Sequence, residues 1–185
     1  MLPEVRAVSL RLGQDGFPRA AYVHDTLCYA RYDGAAWYTE TVDAVPGGHQ
    51  VPAPSASLAL DGTGKAHIGY VAGGQLRYAG WTGAGWVTDT VAVAGEWVSL
   101  AVDGAGIPHL SYTAPQGMIY ARREGSTWVT TTVTDTASAQ TSLVLARPGS
   151  RTSLSRPMPP LAMPIGTGIT GSRRWLTASR AMTVM

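Results

Sequence analysis

The apolar positions of this chain fall in short alternating runs and not at the three-and-four spacing of a helix. Trp86, Thr88 and Thr90 alternate with Val87, Asp89 and Val91, as a pleated strand requires when successive side chains point to opposite faces. The runs recur in a fixed order. Ser9-Leu10-Arg11-Leu12 returns as Ser57-Leu58-Ala59-Leu60, as Ser99-Leu100-Ala101-Val102 and as Ser142-Leu143-Val144-Leu145. A turn follows, with glycine at Gly16, Gly64, Gly106 and Gly149. A second strand ends in Tyr22, Tyr70 or Tyr112, and a third carries Tyr29-Ala30, Tyr78-Ala79 or Tyr120-Ala121. Gly34, Gly83 and Gly125 then precede Trp37, Trp86 and Trp128, each opening a last strand that ends in Thr41-Val42, Thr90-Val91 or Thr132-Val133.

Each unit therefore predicts an antiparallel meander of four short strands. A lone sheet with two apolar faces cannot stay in water, so successive sheets must stack and bury the Tyr and Trp between them. Four strands in roughly 40 to 50 residues is the period of a propeller blade, whereas solenoids of that period are mostly helical. The expected fold is all-β: a partial β-propeller over residues 1–149 with blades at about 8–43, 57–92 and 99–134 and the start of a fourth at 142–149. An irregular tail covers 150–185.

The repeat resembles a bacterial β-propeller family of the form S-L-x-L-D-x-x-G-x-P-H-I-S-Y, then L-x-Y-A and G-x-x-W. Pro108-His109-Leu110-Ser111-Tyr112 matches its second strand most fully, and the resemblance covers about residues 5 to 149. It implies a parent protein that is secreted or at the cell surface, with an architecture shared with sialidase-like propellers. The sialidase Asp-box, S-x-D-x-G-x-x-W, is not matched: Asp61 and Asp103 are followed by Gly64 and Gly106, but no Trp closes the turn. Neither an arginine cluster nor a Tyr/Glu pair of a sialidase site can be assigned. The activity does not carry over, and the chain is expected not to be an enzyme.

Composition supports strands joined by many turns: Gly 22, Pro 12, Trp 6 and Tyr 8 against a single Phe. The single Cys28 excludes an intrachain disulfide framework and reads as an inert strand residue. No run of 18 apolar residues predicts a membrane span, and Met1 to Leu10 lack the pattern of a signal peptide. Charge is split along the chain. All twelve acidic residues lie at or before Asp135, while Arg147, Arg151, Arg156, Arg173, Arg174 and Arg180 follow it. The basic balance belongs to the tail, so no nucleic-acid partner is expected of the repeats. In that tail Pro157, Pro159 and Pro160 interrupt any strand or helix. One reading is a disordered extension; the sharper one is a reading-frame error, in which shifted codons of Ser150 to Leu154 spell the expected Pro-His-Ile-Ser. An open arc of blades exposes apolar faces at its ends, which predicts self-association.

What recurs in a repeat protein is scaffold, and what breaks the recurrence is the better functional candidate. His67 and His109 occupy equivalent strand positions and read as packing residues. Asp61 and Asp103 read as turn caps, with no D-x-D ladder for calcium. Tyr32, Trp81 and Arg123 fill one slot before the last turn and read as turn covers. The pattern-breakers are His24, Asp25, His49, Glu96 and Trp97, which meander topology assigns to one rim. By resemblance to other propellers that rim is often the ligand-binding one, and an exposed Trp beside acidic and imidazole groups suits a sugar ring. No CxxC, HExxH, phosphate loop or dinucleotide fingerprint occurs, so no cofactor, metal or catalytic residue is expected. The functional expectation is a non-enzymatic binding or scaffolding module of a larger propeller, with a glycan or protein ligand. The alternatives are a fragment of a sialidase-like glycan-processing enzyme without its catalytic residues, and a pseudogene product.

Overall fold

The computed structural model describes residue 5 and residues 7–44, 55–136 and 140–146, so His49 and the 150–185 tail lie outside the described residues. The strands are β1 (Ala7–Leu12), β2 (Pro18–Val23), β3 (Thr26–Tyr32), β4 (Trp37–Ala44), β5 (Ala56–Leu60), β6 (Ala66–Ala72), β7 (Gln75–Trp81), β8 (Trp86–Ala92), β9 (Glu96–Val102), β10 (Pro108–Ala114), β11 (Gly117–Glu124) and β12 (Thr127–Thr134). They form three antiparallel four-stranded sheets, I (β1–β4), II (β5–β8) and III (β9–β12), each paired in sequence order. No helix occurs among the described residues.

The tight turns are built by local chemistry. Asp61 Oδ1 accepts from the backbone N–H groups of Thr63 and Lys65 at 2.8 and 2.9 Å, and Asp103 Oδ1 does the same for Ala105 and Ile107. Both aspartates are therefore the turn caps that their positions suggest. In sheet I, Gly13 stands in that slot, and Asp15 Oδ1 takes the N–H of Phe17 at 3.0 Å instead. Gly64 sits at φ 81°, with its counterparts Gly16 and Gly106 at 79° and 80°, a left-handed backbone that a Cβ disfavours.

The sheets pack face to face. Between I and II lie Ala21, Val23, Leu27 and Tyr29 against Leu58, Ile68 and Tyr70; between II and III lie Ala59, Val71 and Leu76 against Val98, Leu100, Leu110 and Tyr112. Each seam repeats one aromatic contact: Tyr29 meets Trp86 at 5.3 Å between ring centroids, and Tyr78 meets Trp128 at 5.2 Å, both edge-to-face. It also repeats one hydrogen bond. Leu58 N–H donates to Ser9 Oγ and Leu100 N–H to Ser57 Oγ, each at 3.0 Å, so the Ser-Leu pair of the repeat stitches each sheet to the next. Approach is closest at Gly69, where a Cβ would lie 2.6 Å from Leu110 Cδ2 and 3.0 Å from Val98 Cγ2. Gly69→Val is expected to overpack this seam and cost about 1–3 kcal/mol, measured by urea denaturation; an unchanged midpoint would mean the sheets are not in contact there.

A polar lock closes the I–II seam near one rim. Asp43 at the end of β4 accepts from the Tyr70 hydroxyl and from Arg77, both of sheet II. Burial, and then the hydrogen bond to Asp43, push the Tyr70 phenol far up, so it remains a donor at all ordinary pH.

Candidate functional site

Of the five residues expected on one rim, His49 lies outside the described residues, and the other four form two pairs on different sheets. His24 and Asp25 form the β2–β3 turn of sheet I, half-buried and exposed, with Nδ1 and Oδ2 3.4 Å apart. Glu96 and Trp97 open β9 of sheet III, and sheet II lies between the two pairs. The expected exposed Trp97 is half-buried. Its φ of 51° coincides with an irregularity in the β9–β10 register, where Thr113 pairs with Glu96 and Ser111 with Ser99. A bulge of this kind gives the left-handed conformation a local, structural reason.

His67 and His109 take part in the same polar chain in two sheets. Their Nδ1 atoms hydrogen-bond Tyr78 and Tyr120 hydroxyls at 2.5 and 2.6 Å. Their Nε2 atoms face Asp61 and Asp103 at 3.5 and 3.3 Å, the first contact being at the edge of hydrogen-bonding reach. Burial lowers the His67 imidazole below its ordinary value, and the neighbouring Asp61 only partly offsets this. The unfolded chain takes up that proton near about pH 6.5 while the folded one resists it, so the stability of a neutral His67 is present above that pH and is lost below it. Thermal unfolding is therefore expected to shift downward as the pH falls below about 6.5, less steeply in His67→Gln; identical pH profiles would contradict this.

A cleft of about 420 Å³ opens between sheets I and II near the opposite rim, lined by Arg19, Tyr29, Arg31, Glu40, Gly64, Ala66 and Trp81. Local pairing puts them there. Arg19 pairs with Arg31 across β2 and β3, and Tyr29 with Glu40 across β3 and β4, so all four point from sheet I toward sheet II. Arg19 is held by Asp15 at 2.5 Å and by the Tyr32 carbonyl at 3.0 Å. The Arg31 guanidinium lies 4.9 Å over the Tyr38 ring. Trp81 stands 5.5 Å from Trp86, which itself packs on Tyr29, making a continuous aromatic wall. Glu40 is exposed and has no ion-pair partner among the described residues.

The equivalent gap between sheets II and III is filled from within. Asp89 takes the place of Glu40 opposite Tyr78, and Arg123 takes the place of Trp81, three residues beyond the tyrosine. Arg123 reaches Asp89 at 2.9 Å and lies 5.5 Å over Tyr78 and 5.9 Å over Trp128. One gap is thus closed by its own ion pair and the other is open.

Sequence reasoning left Arg19, Glu40 and Trp81 out of the candidate site. The signal was present: Arg19 replaces the histidine of the other two repeats, and Trp81 and Arg123 differ at a slot read as a turn cover. The cleft presents arginine donors, one free carboxylate and an indole wall, a set that suits a neutral polyhydroxylated ring. Glycoside hydrolysis ordinarily needs two flanking carboxyl groups about 5 to 9.5 Å apart, and Glu40 is the one carboxylate among its lining residues. No cluster of three or more His, Cys, Asp or Glu that could hold a metal ion occurs among the described residues. Cys28 is a half-buried thiol in β3, with Sγ 3.4 Å from Thr26 Oγ1.

No family model matches the sequence, and no curated protein matches it. Among solved structures, the chain is similar to SapL1 lectin in complex with alpha methyl fucoside, at 18% identity and a TM-score of 0.52 over 70% of this chain and 46% of that one. It is also similar to a mutant of the Aleuria aurantia lectin AAL in complex with Fucalpha1-6GlcNAc, at 11% identity and a TM-score of 0.51 over 68% and 47%. A fucose lectin from Kordia zhangzhouensis in complex with methyl-fucoside aligns at 18% identity and a TM-score of 0.44, over 67% of this chain and 96% of that one. The chain thus spans about half the length of the SapL1 and Aleuria aurantia proteins, and at these identities the likeness is one of fold.

Proposed function

We propose that this chain is a non-enzymatic saccharide-binding module, part of a larger β-propeller that works outside the cell, and that the cleft between sheets I and II holds the sugar. The observation that carries the reading is the contrast between the two gaps. In the I–II gap Glu40 and the Trp81 wall are left open, whereas in the II–III gap Arg123 covers the matching carboxylate and rings. Arg19 and Arg31 would donate to ring hydroxyls, Glu40 would accept from one or two of them, and the apolar face of the sugar would lie on Trp81. The fold shared with two lectins determined with fucosides supports a deoxy sugar of that kind as the first ligand to try.

Calorimetric titration with methyl α-fucoside tests the reading. Glu40→Gln is expected to weaken binding about tenfold or more, the worth of a charge-assisted hydrogen bond, and Trp81→Ala by a similar factor, with the fold intact by circular dichroism. Binding insensitive to both but lost in Trp97→Ala would move the site to the β9 rim. Absence of binding to any simple saccharide would overturn the proposal.

A further inference from the structure

The cleft between sheets I and II does not end at Arg19. A second cavity, of about 270 Å³, adjoins it between the β1–β2 turn, with Gln14 and Asp15, and the β5–β6 turn, with Thr63; Arg19 and Gly64 line both. The turn of sheet I departs here from its two counterparts. Gly13 holds the place of Asp61 and Asp103, and a Cβ on it would fall on Asp15 Oδ1. The missing side chain lets Asp15 fold back over the turn, where Oδ1 takes the Phe17 N–H and Oδ2 meets Arg19 at 2.5 Å. In sheets II and III the turn carboxylates face His67 and His109 instead, so the glycine, the displaced aspartate and the arginine are one concerted change. Gln14 Nε2 donates to the Gly62 carbonyl at 2.9 Å and joins the two turns across the cavity.

We infer, resting on the saccharide reading of the cleft, that the two cavities are successive subsites and that the ligand is an oligosaccharide of at least two rings, the second of them neutral and seated between the turns. The second cavity is furnished with acceptors. The Thr63 hydroxyl donates to Asp61 Oδ1 at 2.7 Å, which leaves its own oxygen to accept. The Phe17 N–H holds the Asp15 carboxyl below its ordinary value, so it stays an anion. Arg19 is the one cation among the lining residues and is already paired, so the cavity suits sugar hydroxyls and has no free cation for an acidic ring. Arg19 stands at the junction of the two subsites, and Asp15 is the positioning residue that fixes its guanidinium there.

Calorimetric titration of the full chain with methyl α-fucoside, and with fucosyl-galactose and fucosyl-N-acetylglucosamine disaccharides, tests this. At least one disaccharide is expected to bind about tenfold tighter than the monosaccharide, the worth of a hydrogen bond to a charged group. Gln14→Ala combined with Thr63→Val should bring that ratio back near one, Thr63→Ser alone should keep it, and Glu40→Gln should weaken both ligands alike. If the monosaccharide binds and neither disaccharide binds more tightly, the second subsite falls while the reading of the cleft stands. A gain that survives Gln14→Ala with Thr63→Val also overturns the inference, because the second ring then lies elsewhere. If no saccharide binds at all, the reading of the cleft fails and takes the second subsite with it.

Discussion

Leu58→Ala is expected to destabilise the chain by about 2–5 kcal/mol, while Leu10→Ala, the same residue of the same motif, should change stability by no more than about 0.5 kcal/mol. The two leucines are equivalent in sequence and strand register, each flanked by serine on β5 or β1. What differs is the neighbour. Leu58 is fully buried against Ala21, Val23 and Tyr29 of sheet I, so truncation leaves a cavity between two sheets. Leu10 is half exposed, and its methyl groups are already largely in water. Urea denaturation of both variants, at a concentration where the chain is monomeric, measures the difference. Equal losses would mean that the motif stabilises its own sheet and not the seam.

Asp43→Ala is expected to cost about 3–5 kcal/mol, the range for removing one partner of a buried ion pair. Asp43 and Arg77 side chains are only 18% and 22% exposed, and the carboxylate serves the Tyr70 hydroxyl as well. Removing it leaves a guanidinium and a phenol facing each other across the seam, with no acceptor between them. Asp43→Asn keeps an acceptor but not the charge and should fall between wild type and alanine. A double change to Asp43→Ala and Arg77→Met should recover much of the loss, because no uncompensated charge remains. If alanine alone is neutral in thermal and chemical unfolding, the lock is a surface contact without weight.

The recurring residues were the legible part of this protein, because recurrence reports what every sheet needs. The Ser-Leu pair, the Tyr of the third strand and the Trp of the fourth each reappear at the seams, where they make the same contact twice. The Asp61 and Asp103 caps were legible for the same reason. The Asp43, Tyr70 and Arg77 cluster was not, since its members lie 27 and 34 residues apart and occur once. Nor was the cleft. Its members come from β2, β3, β4, β6, β7 and a turn, and they meet only through the packing of sheet I on sheet II. Residues that interrupt the pattern, such as Glu96 and Trp97 at the start of β9, drew attention instead, and for Trp97 the interruption has a backbone cause in the bulge. Substitutions inside the pattern, Arg19 for histidine and Trp81 against Arg123, carried the more useful information.

Serine hydroxyls and leucine amides stitch the sheets in series, and amide hydrogen exchange reads that stitch directly. Leu58 and Leu100 N–H groups should exchange as slowly as the core strand amides of β6 and β10; Ser9→Ala should speed exchange at Leu58 alone, and Ser57→Ala at Leu100 alone. Rapid exchange at both amides in the unmodified chain, or an effect of either serine on the wrong leucine, would contradict the stacked arrangement.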